Sequence, residues 1–393
     1  MKVLLVHNFY RHPGGEDRVF AQERQLLEHH GHQVITYQRS NSETLDYSAI
    51  AKLGLPAKMY WASDAHQHIT KLLREEKPQV VHVHNTFFQI SPAIFAACQE
   101  AGIPVVQTLH NFRLMCPAAT YFRDGKICER CSESGLLQGI WHGCYRESRC
   151  ATTAVAFMLA MHRWAKTWIE KVNLHIALTQ FSRRKFTEGG LPAERIVVKP
   201  NFVTPDPEEK TSAGEGAVFV GRFWPEKGVA TLLKAWAKLR GAIPLKILGD
   251  GPLGGQLRQM VVDHAISNVT FLGHVGNDDT RAAIKNARML ILPSENYENF
   301  PVTIVEALSC GTPVICSRLG AMQEIVSDRA TGLHFTPGDP DDLAEKVAWA
   351  WDHPGEVRAM SRAARREYEE KYTAESNYSA LMSIYDQAIS AAH

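Results

Sequence analysis

Met289-Leu290-Ile291-Leu292-Pro293-Ser294-Glu295-Asn296-Tyr297-Glu298-Asn299-Phe300-Pro301-Val302-Thr303-Ile304-Val305-Glu306-Ala307-Leu308-Ser309-Cys310-Gly311-Thr312-Pro313-Val314-Ile315-Cys316 reads as strand, loop, short helix and strand. Residues 289–292 form a continuous apolar run, short enough for a buried parallel strand. Pro301 is expected in the first helical turn, where its missing N–H costs nothing. Gly311 stands where a helix-ending glycine belongs, with Pro313 just beyond. Glu298 precedes the helix and Glu306 lies inside it. Backbone N–H groups around Asn299, Phe300 and Val302 are expected to face the loop mouth, and a helix N-terminus attracts phosphate. The carboxylates suit hydroxyl groups of a sugar or ribose. Phosphate donors beside hydroxyl acceptors point to a nucleotide-sugar site. The plainer reading is a capped helix with Glu298 solvated and Glu306 on an exposed face.

At 393 residues the chain exceeds one ordinary domain and suggests two. Forty-three basic against 42 acidic side chains give a net charge of +1, which argues against general nucleic-acid binding. Met1–His7 is too short in apolar length for a signal peptide, and no run approaches the roughly 20 apolar residues of a membrane-spanning helix. A cytoplasmic protein is expected, with room for contact at the inner face of the membrane.

Residues 2–7, a loop through Gly14-Gly15, a helix from Glu16 to His30 and a strand at Gln33–Tyr37 open a doubly wound sheet. Gly14-Gly15 either lets the backbone approach a ligand or makes a flexible turn; it is not a dinucleotide fingerprint. Strands are expected at 80–84 and 104–109, the second ending in His110-Asn111. Ligands of such sheets bind beyond the carboxyl ends of strands, which raises His110 above an average histidine. His82 reads as a core residue, and His84 stays undecided.

Cys116, Cys128, Cys131, Cys144 and Cys150 cluster in an insert at 112–150. Cys128-Glu129-Arg130-Cys131 has chelating spacing, and with Cys116 and Cys144 it would complete a tetrahedral structural zinc site. Cys150 could replace one ligand. An iron–sulfur cluster, a disulfide pair or reduced thiols are the other readings. Phe157, Met161, Trp164 and Trp168 share a helical stripe, read as core packing, with an interfacial helix on lipid as the sharper alternative. The polar, proline-rich stretch from Thr204 to Lys210 places a domain boundary between 205 and 206.

In the second half, Val218-Phe219-Val220 runs into Gly221-Arg222-Phe223-Trp224-Pro225-Glu226-Lys227-Gly228 and a helix from Val229 to Leu239. Two cations at a strand–loop–helix junction suit a pyrophosphate; a surface pair with Glu226 is the alternative. Further strands end at Gly249-Asp250-Gly251-Pro252 and Gly273-His274-Val275. Asp339-Pro340-Asp341 reads as a helix cap rather than a metal motif. The final helix is expected over 374–391.

Along nearly its whole length the chain resembles the family-four glycosyltransferases of the GT-B fold. The resemblance rests on the glutamate–seven residues–glutamate motif from Glu298 to Glu306. Gly221-Arg222-Phe223 with Lys227-Gly228, Leu248–Pro252, Gly14-Gly15 and Thr108-Leu109-His110 support it. It implies an α/β protein of two Rossmann-like doubly wound domains facing a cleft: residues 1–205 on the acceptor side, 206–373 on the donor side, and 374–393 a helix returning to the first domain. Arg222 and Lys227 would hold the donor pyrophosphate, Glu306 the ribose, and Glu298 the donor sugar, helped by backbone at Asn299 and Phe300. Donor contacts would extend over Gly14, Gly15, Gly249, Gly273, His274, Pro301 and Val302, and His110 would lie beside the transferred sugar.

The implied activity is retaining, metal-independent transfer of a hexosyl group from a UDP or GDP sugar to a glycan or lipid-linked acceptor, in surface polysaccharide synthesis. A sugar-nucleotide epimerase and a non-catalytic nucleotide-sugar-binding subunit are the alternatives. The chain departs from the family in its cysteine insert and in Val203-Thr204, where the family usually has an aspartate.

Overall fold

The computed structural model describes every residue except 12–13, 49, 51–52 and 392–393. The loop before Gly14 therefore lies partly outside the described residues. The strands are β1 (Lys2–Phe9), β2 (Gln33–Ser40), β3 (Val80–Asn85), β4 (Val105–Thr108), β5 (Phe122–Arg123), β6 (Lys126–Ile127), β7 (Leu174–Ala177), β8 (Ile196–Val198), β9 (Ala217–Val220), β10 (Leu245–Leu248), β11 (Val269–Gly273), β12 (Met289–Leu292), β13 (Val314–Ser317) and β14 (Gly332–Phe335).

The chain divides into two compact units. The first comprises residues 1–121, 128–201 and 377–393; the second comprises 122–127 and 202–376. The division falls at 201/202 and 376/377, where the sequence placed it at 205/206 and 373/374. The linker joins the second unit because the Arg365 guanidinium forks onto both Asp206 oxygens at 2.7 Å.

The first unit carries a six-stranded sheet in the order β2-β1-β3-β4-β7-β8, parallel throughout. Val3, Leu4, Leu5 and Val6 are fully buried, as a strand covered on both faces requires. The strand order reverses between β1 and β3. The second unit carries an independent parallel sheet, β11-β10-β9-β12-β13-β14, which reverses between β9 and β12. Its core centres on Trp236, whose indole N–H donates to the Ile243 carbonyl at 2.9 Å. Burying such a ring contributes about 2–3 kcal/mol provided the N–H is satisfied, as it is here.

Two local expectations are corrected. Pro301 has extended ψ and caps the helix Val302–Ser309 from outside. Its ring fixes φ but does not oblige the helix to include it. The stripe Phe157, Met161, Trp164, Trp168 is not core. Helix Arg149–Trp164 buries Thr152, Val155, Ala156, Met158, Leu159 and His162, leaving Phe157 54% and Trp164 81% exposed. Trp168 alone of the four is buried, because Lys166 adopts a left-handed conformation that ends the first helix and starts a short second one. The last helix, Ala374–Ser390, buries Asn377, Leu381, Ile384, Tyr385 and Ala388. Asp339 does cap its helix, accepting from the N–H groups of Asp341 and Asp342.

Candidate functional site

In a parallel sheet all carboxyl ends share one edge, and a ligand crevice opens where the strand order reverses. The second unit places the sequence-selected residues there. Gly221-Arg222 follows β9, Gly249 follows β10, Gly273 ends β11 with His274 next, and Pro293–Val302 follows β12. The β9 and β12 loops are locked together. Gly228 has φ +67°, and a Cβ on it would lie 1.9 Å from the Pro293 carbonyl oxygen. The Glu295 N–H donates to the Glu226 carbonyl at 2.8 Å, and the Thr231 hydroxyl donates to the Glu295 carboxylate at 2.6 Å. The glycine of the β10 loop is equally constrained: a Cβ on Gly249 would meet the Gly221 carbonyl at 1.9 Å. The Gly249 N–H also donates to the Gly273 carbonyl at 2.7 Å.

This packing brings together residues 71 positions apart. Lys227 Nζ reaches Glu298 Oε1 at 2.5 Å, and the Ser294 hydroxyl donates to the same oxygen at 2.8 Å. Burial pushes the Glu298 carboxyl up, but Lys227, Ser294 and the nearby Arg222 charge outweigh it and hold Glu298 below the usual carboxylate range. The partner of Lys227 is thus Glu298, not Glu226. Arg222 and His274 are exposed, while Asn299, Phe300 and Pro301 are buried. Glu306 is buried within helix Val302–Ser309, not on an exposed face. Ser294 was not singled out from the sequence; its signal was its place at the end of β12, four residues before Glu298.

The first unit repeats the arrangement with different chemistry. Gly14 caps the helix Gly15–His29, its N–H donating to Asp17 at 2.7 Å. A Cβ on Gly14 would meet nothing within 4 Å, so packing does not demand glycine there. Glu16, the next residue but one, accepts from Asn85 at 3.1 Å and Asn111 at 3.2 Å, at the ends of β3 and β4. Burial, then the Asp17 charge, pushes its carboxyl up to about 8 against the pull of Asn111, Arg113 and Tyr10. His110 follows β4 and contacts His84 on β3, Nε2 to Nδ1 at 3.0 Å. Burial, then neighbouring His84 and His7, holds His110 well below the ordinary histidine value. The sequence reading missed Glu16, although it follows the diglycine directly at a helix start.

Cys131 is surrounded by Cys116, Cys128 and Cys144. Burial, then Cys116 and Cys144, pushes its thiol up to about 12, and the Gly139 N–H points at its sulfur. The eight cysteines stand as thiols, and Cys150 is exposed. Among the described residues the one group of three or more ligand atoms all within 4.8 Å of one another is Glu23, His82 and His84. The thiols are gathered, but wider apart than the sulfurs of a closed zinc site, which sit about 2.3 Å from the ion.

The family model described as Glycosyltransferase Family 4 matches residues 13–207, and the one described as Glycosyl transferases group 1 matches 205–367. The D-rhamnosyltransferase WbpZ of Pseudomonas aeruginosa is 32% identical over 40% of this chain and 41% of its own length. The glycogen synthase of Mycobacterium tuberculosis is 31% identical over 75% of this chain and 65% of its own. The chain spans about half the length of the curated relatives it matches. Anabaena HepE in complex with UDP superposes with a TM-score of 0.69 at 19% identity, covering 98% of this chain and 100% of that one. Two parallel-sheet Rossmann-like halves, matched in turn by the two glycosyltransferase models, give the chain the GT-B fold.

Proposed function

We propose that the protein transfers a hexosyl group, with retention of configuration, from a nucleoside-diphosphate sugar to a glycan or lipid-linked acceptor. The observation that carries this is the Lys227–Glu298 pair at the reversal point of the second sheet, with Arg222 beside it. Arg222 and Lys227 take the pyrophosphate, the first as a planar fork and the second as a point charge. Glu306 takes the ribose and Glu298 the donor sugar. HepE binds UDP, which favours a uridine donor; guanosine remains the other choice.

As the glycosidic C–O bond breaks, negative charge develops on the leaving phosphate. The two cations and the helix N-terminus at Val302 stabilise that charge without a catalytic metal. The phosphate then accepts the proton of the attacking hydroxyl on the same face, so no second carboxylate is needed across the anomeric carbon. The test is product analysis with a labelled donor. Glycosylated acceptor supports transfer; an epimerised nucleotide sugar, or binding without turnover, replaces it with one of the two other readings.

We further propose that the four gathered cysteines take up a structural zinc ion that steadies the insert. Protein purified without chelator is expected to carry about one zinc per chain; metal-free protein with an unchanged melting temperature on zinc addition sinks the idea. The exposed Trp141, Phe157 and Trp164, with Arg146, Arg149, Lys166 and Lys171 nearby in sequence, fit the headgroup zone of an anionic bilayer. Phe157→Ser with Trp164→Ser is expected to reduce sedimentation with anionic vesicles ~10-fold, and equal sedimentation of both proteins rejects this surface.

A further inference from the structure

Helix Gly15–His29 carries Glu23 in the middle of its buried stripe, beside Phe20 and Leu27, with 0% exposure. A carboxylate there is costly unless paired. Lys199 supplies the pairing: its ammonium lies 2.6 Å from Glu23 Oε1 and also donates to Asn377 at 3.2 Å. Oε2 of Glu23 lies 3.3 Å from His84 Nε2 and 3.6 Å from His82 Nδ1. His82 has both ring nitrogens engaged, Nδ1 with the Tyr385 hydroxyl at 2.8 Å and Nε2 with the Thr108 hydroxyl at 2.7 Å. His84 Nε2 has no hydrogen-bond partner besides this carboxylate among the described residues. The other face of His84 meets His110, with the rings stacked at 17°.

The spacing of Glu23, His82 and His84 would admit a metal, but their surroundings oppose one. Lys199 already supplies the cation, and His82 has no lone pair to spare. The group is better explained by proton placement. A bare His84 Nε2 facing a carboxylate would set lone pair against lone pair, so that nitrogen carries the proton. A second proton on His84 would add a cation where Glu23 is already matched by Lys199. Nδ1 of His84 therefore accepts, and His110 Nε2 must donate to it.

We infer that Glu23 and His84 are positioning residues that fix His110 as its neutral Nε2–H tautomer, leaving His110 Nδ1 as an acceptor for a substrate hydroxyl. The chain runs from Lys199 and Asn377 through Glu23 and His84 to the end of β4, and Tyr385 holds His82 beside it. Helix Ala374–Ser390 thereby supplies Asn377 and Tyr385 to a network ending at His110. A tautomer fixed in this way accepts a hydroxyl proton in one direction only, which selects the orientation of a sugar hydroxyl. The role of His110 toward substrate rests on the transferase reading; its tautomer does not.

The experiment uses full-length protein labelled with ring nitrogen-15 in histidine, with His110 signals identified as those lost in His110→Gln. Long-range proton–nitrogen spectra are expected to find His110 neutral, protonated on Nε2 and bare on Nδ1. Glu23→Gln is expected to reverse the chain, because its carboxamide can donate to His84 Nε2; His84 then donates to His110, which becomes the Nδ1–H tautomer. Should Glu23→Gln fail to fold with Lys199 unpaired, Glu23→Gln with Lys199→Met removes both charges and asks the same question. Turnover in the reversed protein should fall ~10-fold or more, the scale of a mispaired polar contact, with donor affinity unchanged. An imidazolium or Nδ1–H form of His110 in the wild type, or no reversal in either variant, overturns the inference. The tautomers as described, in a protein that transfers no sugar from any nucleotide donor, would instead retire the transferase reading and leave the proton chain standing.

Discussion

Each sheet reverses strand order beside the first strand of its unit, and the two reversal points are furnished oppositely. In the second unit the reversal point carries exposed Arg222 beside the largely buried ion pair of Lys227 and Glu298. In the first unit it carries Glu16, His84 and His110, backed by the buried Glu23–Lys199 pair. Charge near solvent can engage a dianionic ligand at modest desolvation cost, whereas hydrogen-bonded imidazoles give direction to hydroxyl groups. Under the proposed function, the same architecture would serve as an anion-binding half and a hydroxyl-reading half, with the side chains beyond the carboxyl ends making the difference.

Removing the charge of the second unit should break this contrast most severely. Arg222→Ala, Lys227→Ala and Glu306→Ala are each expected to weaken donor binding ~10–100-fold or more by calorimetry, the scale of a charge-assisted hydrogen bond. Unchanged affinity in all three would remove the site assignment. Lys227→Ala also strands the Glu298 carboxylate, so part of its effect should appear as lost stability. Lys227→Ala with Glu298→Gln should recover the melting temperature without recovering donor affinity.

A smaller effect is expected from Glu298→Gln alone, which keeps the shape and the Ser294 contact but not the charge. Turnover should drop ~10-fold while donor affinity changes less than ~3-fold, if Glu298 positions the sugar and Lys227 retains the phosphate. Loss of affinity as large as in Lys227→Ala would instead make Glu298 a support for the lysine.

The smallest effect tests the first unit. Glu16 is raised in the folded protein to about 8, above an unfolded value near that of model carboxyls. Between roughly pH 4.5 and 8 the folded chain retains a proton that the unfolded chain has released, so stability should fall as pH rises through that window. Glu16→Gln should flatten that slope in a melting-temperature series. A wild-type profile rising from pH 5 to 8 as steeply as the variant's would contradict the assignment.

Much of the architecture was legible because it is local. Strand β12, the glycine at 311 and the cap at Asp339 are each set by a few adjacent residues whose backbone preferences agree. The helix Arg149–Trp164 was misread because a helical stripe of large apolar residues looks the same whether it faces a core or solvent. Burial there is decided by what packs against the helix, and the smaller residues Thr152, Val155, Ala156 and Leu159 took the inner face.

Sequence by itself determined two doubly wound α/β units and the strand-end positions of the glycines, cations and carboxylates at the second reversal point. Those follow from strand-end placement and from motifs in which each residue's chemistry is expressed within one loop. Tertiary structure alone decided that Lys227 pairs with Glu298 rather than Glu226, and that Glu23 meets Lys199 across 176 positions. It also decided that His84, undecided in the sequence, touches His110. The physical reason is that a buried charge has no fixed partner in the sequence: its pairing is set by strand order, and strand order is a property of the whole sheet.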